Sequence, residues 1–560
     1  MNSAWVTAMQ ILFANDRKVK NIHNSKYSVR LPFLLAVAIA AGIFIGASMA
    51  DPKTPSNALL STLIKFREII TFVDKDYVDD VDTDNLVEEA IVEMLEKLDP
   101  HSVYIPKEEM ELTRSELEGA FDGIGIEFSI IKDTIYVIAP LSGGPSKKVG
   151  LQTGDKIITV EGENVAGVGI KNRGVFKRLR GPKGSEVTVE IKRKYEEELL
   201  TFTIIRDKIP QYSVDVHYMV DEEIGYIKIS RFSTTTYDEF KEALSNLKEQ
   251  GMEKLILDLQ GNPGGYMDRA IDVVDELLPG NDMIVYTKGK ETRNDSEARA
   301  HREGIFEEKP VIVLIDQGSA SASEIVSGAL QDNDRALIVG RRSFGKGLVQ
   351  RQIALIDGSG LRLTVSRYYI PSGRSIQKPY ENGTEDYHSG VYNRYGNGEL
   401  FYSDSIKVDE SKQFKTSGGR LVYGGGGIIP DVFVAVDTGS NPRYLNRLFT
   451  SNAIGEYTLN YYQKQKTELE KMDYKDYRKN FEVSDEMLQE LVATAKGVDV
   501  PFNEGEFNGG KELIKIHLKA QIARRVWDNK GFYPIFNQTN EVFMEALKLF
   551  DRAEDLIAQK

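Results

Sequence analysis

Residues 310–324 read PVIVLIDQGSASASE. Residues 311–315 are an unbroken apolar run between a proline and a glycine-containing turn, and read as a strand. From Ser321 to Gln331 the chain becomes an apolar helix. A strand that turns directly into a helix is one step of an α/β core, and the flanks repeat it. Upstream, GYIKIS (225–230) is followed by a helix over 237–250, the strand KLILDL (254–259) and a helix over 267–278. Downstream, LIVG (337–340), LVQRQIAL (348–355) and RLTVSRYYI (362–370) complete a sheet. The fold class expected for 224–371 is α/β.

The same stretch holds the first candidate chemistry. A serine at a strand-to-helix turn sits beside unpaired helix N–H groups and the positive end of the helix dipole, where an oxyanion is stabilised. Serine also caps helices for purely structural reasons, and Ser319, Ser321 and Ser323 compete for the place. Asp258-Leu259-Gln260-Gly261-Asn262-Pro263-Gly264-Gly265 closes another strand, and its glycines permit a turn whose N–H groups can supply a second oxyanion donor. Gly340-x4-Gly345-Lys346 nearly matches a phosphate-binding loop. It fails because residue 347 is Gly, which lacks the Mg²⁺-binding hydroxyl, and because strand rather than helix follows. A lysine between two glycines, flanked by Phe344 and Leu348, is either a solvated surface residue or, if buried, a general base with a lowered pKa. No GxSxG elbow is present and no histidine is near in sequence, so a Ser-His-Asp triad is poorly supported. Ser-Lys is the coherent pairing.

Outward of the core, 119–207 reads as short strands (GIGIEFSI, TIYVIAP, DKIITVEG, EVTVEIKR, LLTFTIIR) with one helical piece at 169–179. Gly123-Ile124-Gly125-Ile126, followed by Gly150-Leu151-Gln152-Thr153-Gly154-Asp155-Lys156-Ile157, resembles a PDZ domain. Such a loop offers successive N–H groups to a peptide carboxylate while the strand edge adds the peptide as another strand. Residues 51–118 have apolar positions three and four apart and read as helical; 380–427 reads as a surface insertion without clear periodicity; 441–560 reads as a charged helical extension. Phe543, Leu547, Phe550 and Ile557 mark its last helix as amphipathic, packing on the body.

Composition limits the classes. At 560 residues the chain is long enough for about three or four domains. A net charge of −14 argues against nucleic acid as the main partner. With no cysteine and six scattered histidines, thiol catalysis, disulfides and Cys- or His-built metal sites are not expected, and no metal or cofactor is called for. A cysteine-free chain suits an oxidising compartment. Residues 31–50 carry no charge and follow Arg17, Lys18, Lys20, Lys26 and Arg30. This is either a transmembrane anchor behind a cytoplasmic lead of residues 1–30, or a signal peptide cut near Ser48-Met49-Ala50. The anchor reading is preferred. Both export the remainder, to the periplasm in the reading adopted here.

With these motifs in order, the sequence resembles the carboxyl-terminal processing (tail-specific) serine proteases. The resemblance rests on Leu98-Asp99-Pro100-His101-Ser102 with Tyr104, the PDZ-like module, residues 258–265, SASASE, FGKGLVQ, TVSRYYIPSGRSIQ (364–377) and Gly427-x-x-Pro-Asp431. It implies a crotonase/ClpP-like α/β protease core over 208–440, interrupted at 380–427, with an inserted PDZ domain, a helical N-terminal region and a helical C-terminal extension. It further implies Ser321 as nucleophile, Lys346 as general base, Gln350 as the group orienting the lysine, and an oxyanion hole from Ala322 N–H and one of Gly264 or Gly265, with Gly265 preferred. Gly123 to Ile126 would take the substrate's C-terminus. Gln260 stands where the family commonly has Arg, and Arg341-Arg342-Ser343 replaces the usual lead-in to the lysine. The partners implied are proteins or peptides with accessible C-termini, with an activator or adaptor and the oligomeric state left open. The rival reading is a membrane-tethered PDZ adaptor on an inert protease-like core.

Overall fold

The structure, a computed structural model, describes residues 57–437 and 443–558 apart from 142 and 195. The apolar stretch 31–50 and its lead lie outside the described residues. The chain divides at Glu89 into two units. The first contains the helix Asn57–Asp76, which bears the expected spacing of Leu59, Leu63, Phe66 and Ile70.

In the second unit, the strands Val214–Met219, Ile224–Ile229, Lys254–Asp258, Val311–Ile315, Leu337–Gly340 and Val432–Phe433 form one sheet in chain order. The first pair is antiparallel and the rest are parallel. Alternation along each strand divides the core. Leu255, Leu257, Val311, Val313 and Ile315 face helices Thr236–Glu249, Met267–Asp275 and Ala322–Asp332. Ile256, Ile312, Leu314 and Val339 face the other way and meet Val542, Phe543, Ala546 and Phe550. The extension's last two helices, Glu541–Ala546 and Phe550–Ala558, therefore supply the second cover that a parallel sheet needs. The expected final helix packs on the body, broken in two.

Of the three strands read downstream of the serine turn, only 337–340 joins this sheet. Leu348–Ala354 and Gly360–Tyr369 form an antiparallel hairpin, closed through Asp357-Gly358 with Gly358 at φ 93°, in a separate five-stranded sheet. A hairpin turn reverses the chain and cannot extend a parallel layer. Residues 380–427 also hold more regular structure than their sequence suggests. They contain the helix Thr384–Gly396 and a short hairpin of Gln413–Lys415 with Leu421–Tyr423. The helix escapes a periodicity reading because it buries only Tyr387 and Arg394, one of them charged.

The PDZ-like module is a sheet in the order Ile126–Ile131, Thr134–Pro140, Lys156–Val160, Glu186–Lys192, Leu200–Ile205, with the helix Asn172–Leu179 over its core. Ile126–Ile131 is an edge strand. The extension has its own core of helices, including Ala453–Leu469 and the long, kinked Glu504–Phe536. It meets the PDZ-like sheet through Leu459 against Ile131 and Ile138, and through Asn452 Nδ2 donating to Ser129 Oγ at 2.9 Å.

Candidate active site

At the end of Val311–Ile315 the chain turns into helix Ala322–Asp332 through the three serines. Two of them are spent. Ser319 and Ser323 are fully buried, and their hydroxyls donate to Leu259 O (2.8 Å) and Asn262 O (2.9 Å), tying this turn to the 258–265 turn. Ser321 alone is half-buried and lines a cavity of about 590 Å³. Its backbone is held at φ 55°, ψ −111°, a conformation that costs a non-glycine residue on the order of 1–3 kcal/mol.

Glu324 offsets that strain. It forms a capping box with Ser321, whose N–H donates to Glu324 Oε2 at 2.8 Å. The carboxylate also accepts from Lys346 N (2.9 Å), Gly345 N (2.7 Å) and Ser343 Oγ (2.5 Å). Burial pushes its pKa up, and these donors pull the other way. One side chain thus fixes the serine turn and the lysine loop together. Tyr368 does the same from the other side: its hydroxyl lies 3.0 Å from Ser321 O and 2.5 Å from Lys346 O. The sequence reading missed both residues. The Ser-x-x-Glu spacing of a capping box was the available signal for Glu324; nothing local marks Tyr368.

The glycines of the 258–265 turn are required by close approach. A Cβ on Gly264 would lie 2.7 Å from Ala320 O and 2.8 Å from Ser321 Cβ; one on Gly265 would lie 2.0 Å from Phe232 O. Gly264 N–H is already given to Asn262 Oδ1 at 2.8 Å. The N–H groups of Gly265 and Ala322 have no partner among the described residues. Both residues line the Ser321 cavity. Unpaired main-chain donors beside a helix N-terminus are suited to a developing oxyanion.

Lys346 and Gln350 line the same cavity. Burial, then the positive charge of Arg362, lowers the Lys346 pKa to about 8, while Glu324 and Asp99 act to raise it. Gln350 Nε2 donates to Leu348 O at 3.2 Å, so the hydrogen bond it makes here is to the main chain of its own strand. His101, remote in sequence, comes close enough for the Lys346 charge to depress its pKa, which burial lowers first, to about 3. It contacts Tyr387 Oη at 2.8 Å and is not among the residues lining the cavity. Asp99 accepts from His101 N, Ser102 N and Ser102 Oγ and reaches Thr364 Oγ1 at 3.1 Å, which ties the 98–102 segment to the sheet behind Lys346. Gly123 to Ile126 lie apart from the cavity, at the start of the PDZ-like edge strand. Ile124 is buried in that module's core and its carbonyl is capped by Ser146, with Gly125 at φ 71°.

Comparison with known sequences agrees with this architecture. Residues 223–387 match Peptidase family S41, and 123–204 match the PDZ domain. Residues 45–109 match the N-terminal domain of the activating protease CtpB, and 444–528 match a family of unknown function. A carboxy-terminal-processing protease of Bartonella bacilliformis is 38% identical over 350 residues, which is 61% of this chain and 80% of that protein. The carboxy-terminal processing protease CtpB of Bacillus subtilis is 32% identical over 390 residues, 67% of this chain and 79% of that protein. Among solved structures, a photosystem II D1 C-terminal processing protease aligns over 66% of this chain and 86% of its own, at 26% identity and a TM-score of 0.35.

Proposed function

Because this chain belongs to the carboxy-terminal processing serine proteases of peptidase family S41, we propose that Ser321 and Lys346 form its catalytic dyad and that it acts on flexible C-terminal tails of exported proteins. The observation that carries the assignment is the shared cavity. It brings together the one half-buried serine of the three, a lysine with its pKa lowered to about 8, and two unpaired main-chain N–H groups.

The tail adds to the edge strand Ile126–Ile131, its carboxylate taken by the Gly123 to Ile126 loop, and the chain before it reaches Ser321. Neutral Lys346 accepts the hydroxyl proton as Ser321 Oγ bonds to the scissile carbonyl carbon. The carbonyl oxygen becomes an oxyanion held by Gly265 N–H and Ala322 N–H. Collapse breaks the C–N bond, and Lys346 returns the proton to the leaving amine. Water then hydrolyses the acyl ester by the same relay. Gln350 serves the lysine by bounding its cavity. Residues 31–50 export the catalytic part to the periplasm, remaining as an anchor or being cut near Ala50; the charge pattern of the lead and the absence of cysteine support this.

The test is incubation of the purified protein with a flexible protein bearing an apolar C-terminal tail, beside Ser321→Ala and Lys346→Ala. Cleavage lost in both variants supports the dyad. Cleavage that persists in either refutes it, and a wild type that binds the tail without cutting it favours the adaptor reading.

A further inference from the structure

The Peptidase family S41 match ends at residue 387, within the helix Thr384–Gly396, which buries two side chains, Tyr387 and Arg394, seven residues apart and so on one helical face. Both are directed at the loop that carries Lys346. Arg394 Nη1 donates to Ser343 O (2.7 Å) and Arg342 O (3.2 Å); Nη2 reaches Phe344 O (3.4 Å) and Gly426 O (3.5 Å). Three consecutive carbonyls before Gly345-Lys346 thus converge on one guanidinium. Glu399, which the Arg342 guanidinium also grips, lies 3.6 Å from Arg394 Nε and holds the fork in place. Tyr387 packs edge-on against Phe344 and accepts a hydrogen bond from Gln377 Nε2, while Gln377 Oε1 accepts from Gly347 N at 2.8 Å.

The loop needs such a hold. Lys346 stands between two glycines, Gly345 at φ 93°, and although Glu324 and Tyr368 hold its own N–H and carbonyl, the residues leading into it need a separate hold. Five N–H donors in a rigid plane satisfy several buried carbonyls at once, which lysine's three donors on a flexible stem do not reproduce. We infer that Arg394 is a positioning residue, through which the inserted helix clamps residues 342–344 and thereby keeps Lys346 inside the Ser321 cavity. This rests on the reading of Lys346 as the base. The charges acting on Lys346 are Arg362, Glu324 and Asp99, with His101 nearby, and none of them lies on the inserted helix. Arg394 and Glu324 feel each other's charge, but Arg394 is not among the charges acting on Lys346, so its direct hold on the lysine is through the position of the loop.

The test measures the state of Lys346 without relying on peptidase activity. In full-length protein carrying Ser321→Ala, Lys346 is acylated with limiting acetic anhydride from pH 6 to 11, and its modification is read by peptide mass spectrometry; only the neutral amine reacts. The parent is expected to show a midpoint near 8. Arg394→Met releases the loop into water, and a midpoint higher by about one unit corresponds to roughly tenfold less neutral lysine at pH 7. In active protein, kcat is expected to fall by a similar factor at pH 7 with KM nearly unchanged, and Arg394→Lys to recover part of both losses. An Arg394→Met midpoint equal to the parent's overturns the inference. If Arg394→Met does not fold, Arg394→Lys decides by the same midpoint, a rise supporting the clamp and no rise overturning it. A midpoint that rises while the pH profile of cleavage stays put upholds the clamp and instead removes Lys346 from the role of base.

Discussion

With Lys346 as the proposed base, the dependence of cleavage on pH follows from one number and one cause. Burial, assisted by Arg362, lowers Lys346 from its ordinary 10.5 to about 8. The neutral, proton-accepting fraction is then about 3% at pH 6.5, one half near pH 8 and about 97% at pH 9.5, so kcat/KM is expected to rise roughly thirtyfold across that range. Initial rates on a quenched fluorescent peptide with an apolar C-terminus, at constant ionic strength, give the profile. Two variants identify the group. Arg362→Met removes a like charge, so the acidic limb moves to higher pH; Asp99→Asn removes an opposing one and moves it lower. A limb that stays put in both variants, or a profile flat from about pH 6 to 9, refutes lysine as the base.

The same shift has a consequence for stability. Between about pH 8 and 10.5 the unfolded lysine holds a proton that the folded one does not, so the folding penalty is full below pH 8 and fades as pH approaches 10.5. Lys346→Met is therefore expected to stabilise the protein at pH 7 by at most about 3 kcal/mol, reduced by water in the open cavity, and by little at pH 10.5. Denaturant melts at the two pH values check it.

Other expectations can be measured directly. Glu324→Gln keeps the shape but replaces two acceptor oxygens with one, leaving N–H groups of the serine turn or lysine loop unpaired; a loss of about 1–3 kcal/mol by denaturation should accompany a large fall in kcat. Gly265→Ala drives a methyl into Phe232 O and displaces the proposed oxyanion donor, so kcat should drop on the order of 10²–10³-fold while tail binding, followed by fluorescence anisotropy, is unchanged. Phe543→Ala opens a cavity beneath the sheet and should cost about 3–5 kcal/mol, seen as a lower denaturation midpoint, which would establish the extension as part of the protease core's fold.

Much of this protein was legible in its sequence because the signals are local. The run 311–315 reads as a strand; the alternation of strands and helices implied an α/β core; Gly264 and Gly265 marked a turn; and residues 123–157 carried their own module. What only the tertiary structure decided depends on distance along the chain. Which serine faces the cavity depends on Leu259 O and Asn262 O, about 60 residues away, which occupy the hydroxyls of Ser319 and Ser323. Glu324 became a hinge pin between two loops because Gly345 and Lys346 fold back onto it. Arg394 and Tyr387 sit in a helix with no apolar stripe, so their direction toward the lysine loop appears only when the chain is packed. A sequence shows what a segment can form by its own periodicity; burial, which lowers the lysine pKa and closes off Ser319 and Ser323, is a property of everything that surrounds it.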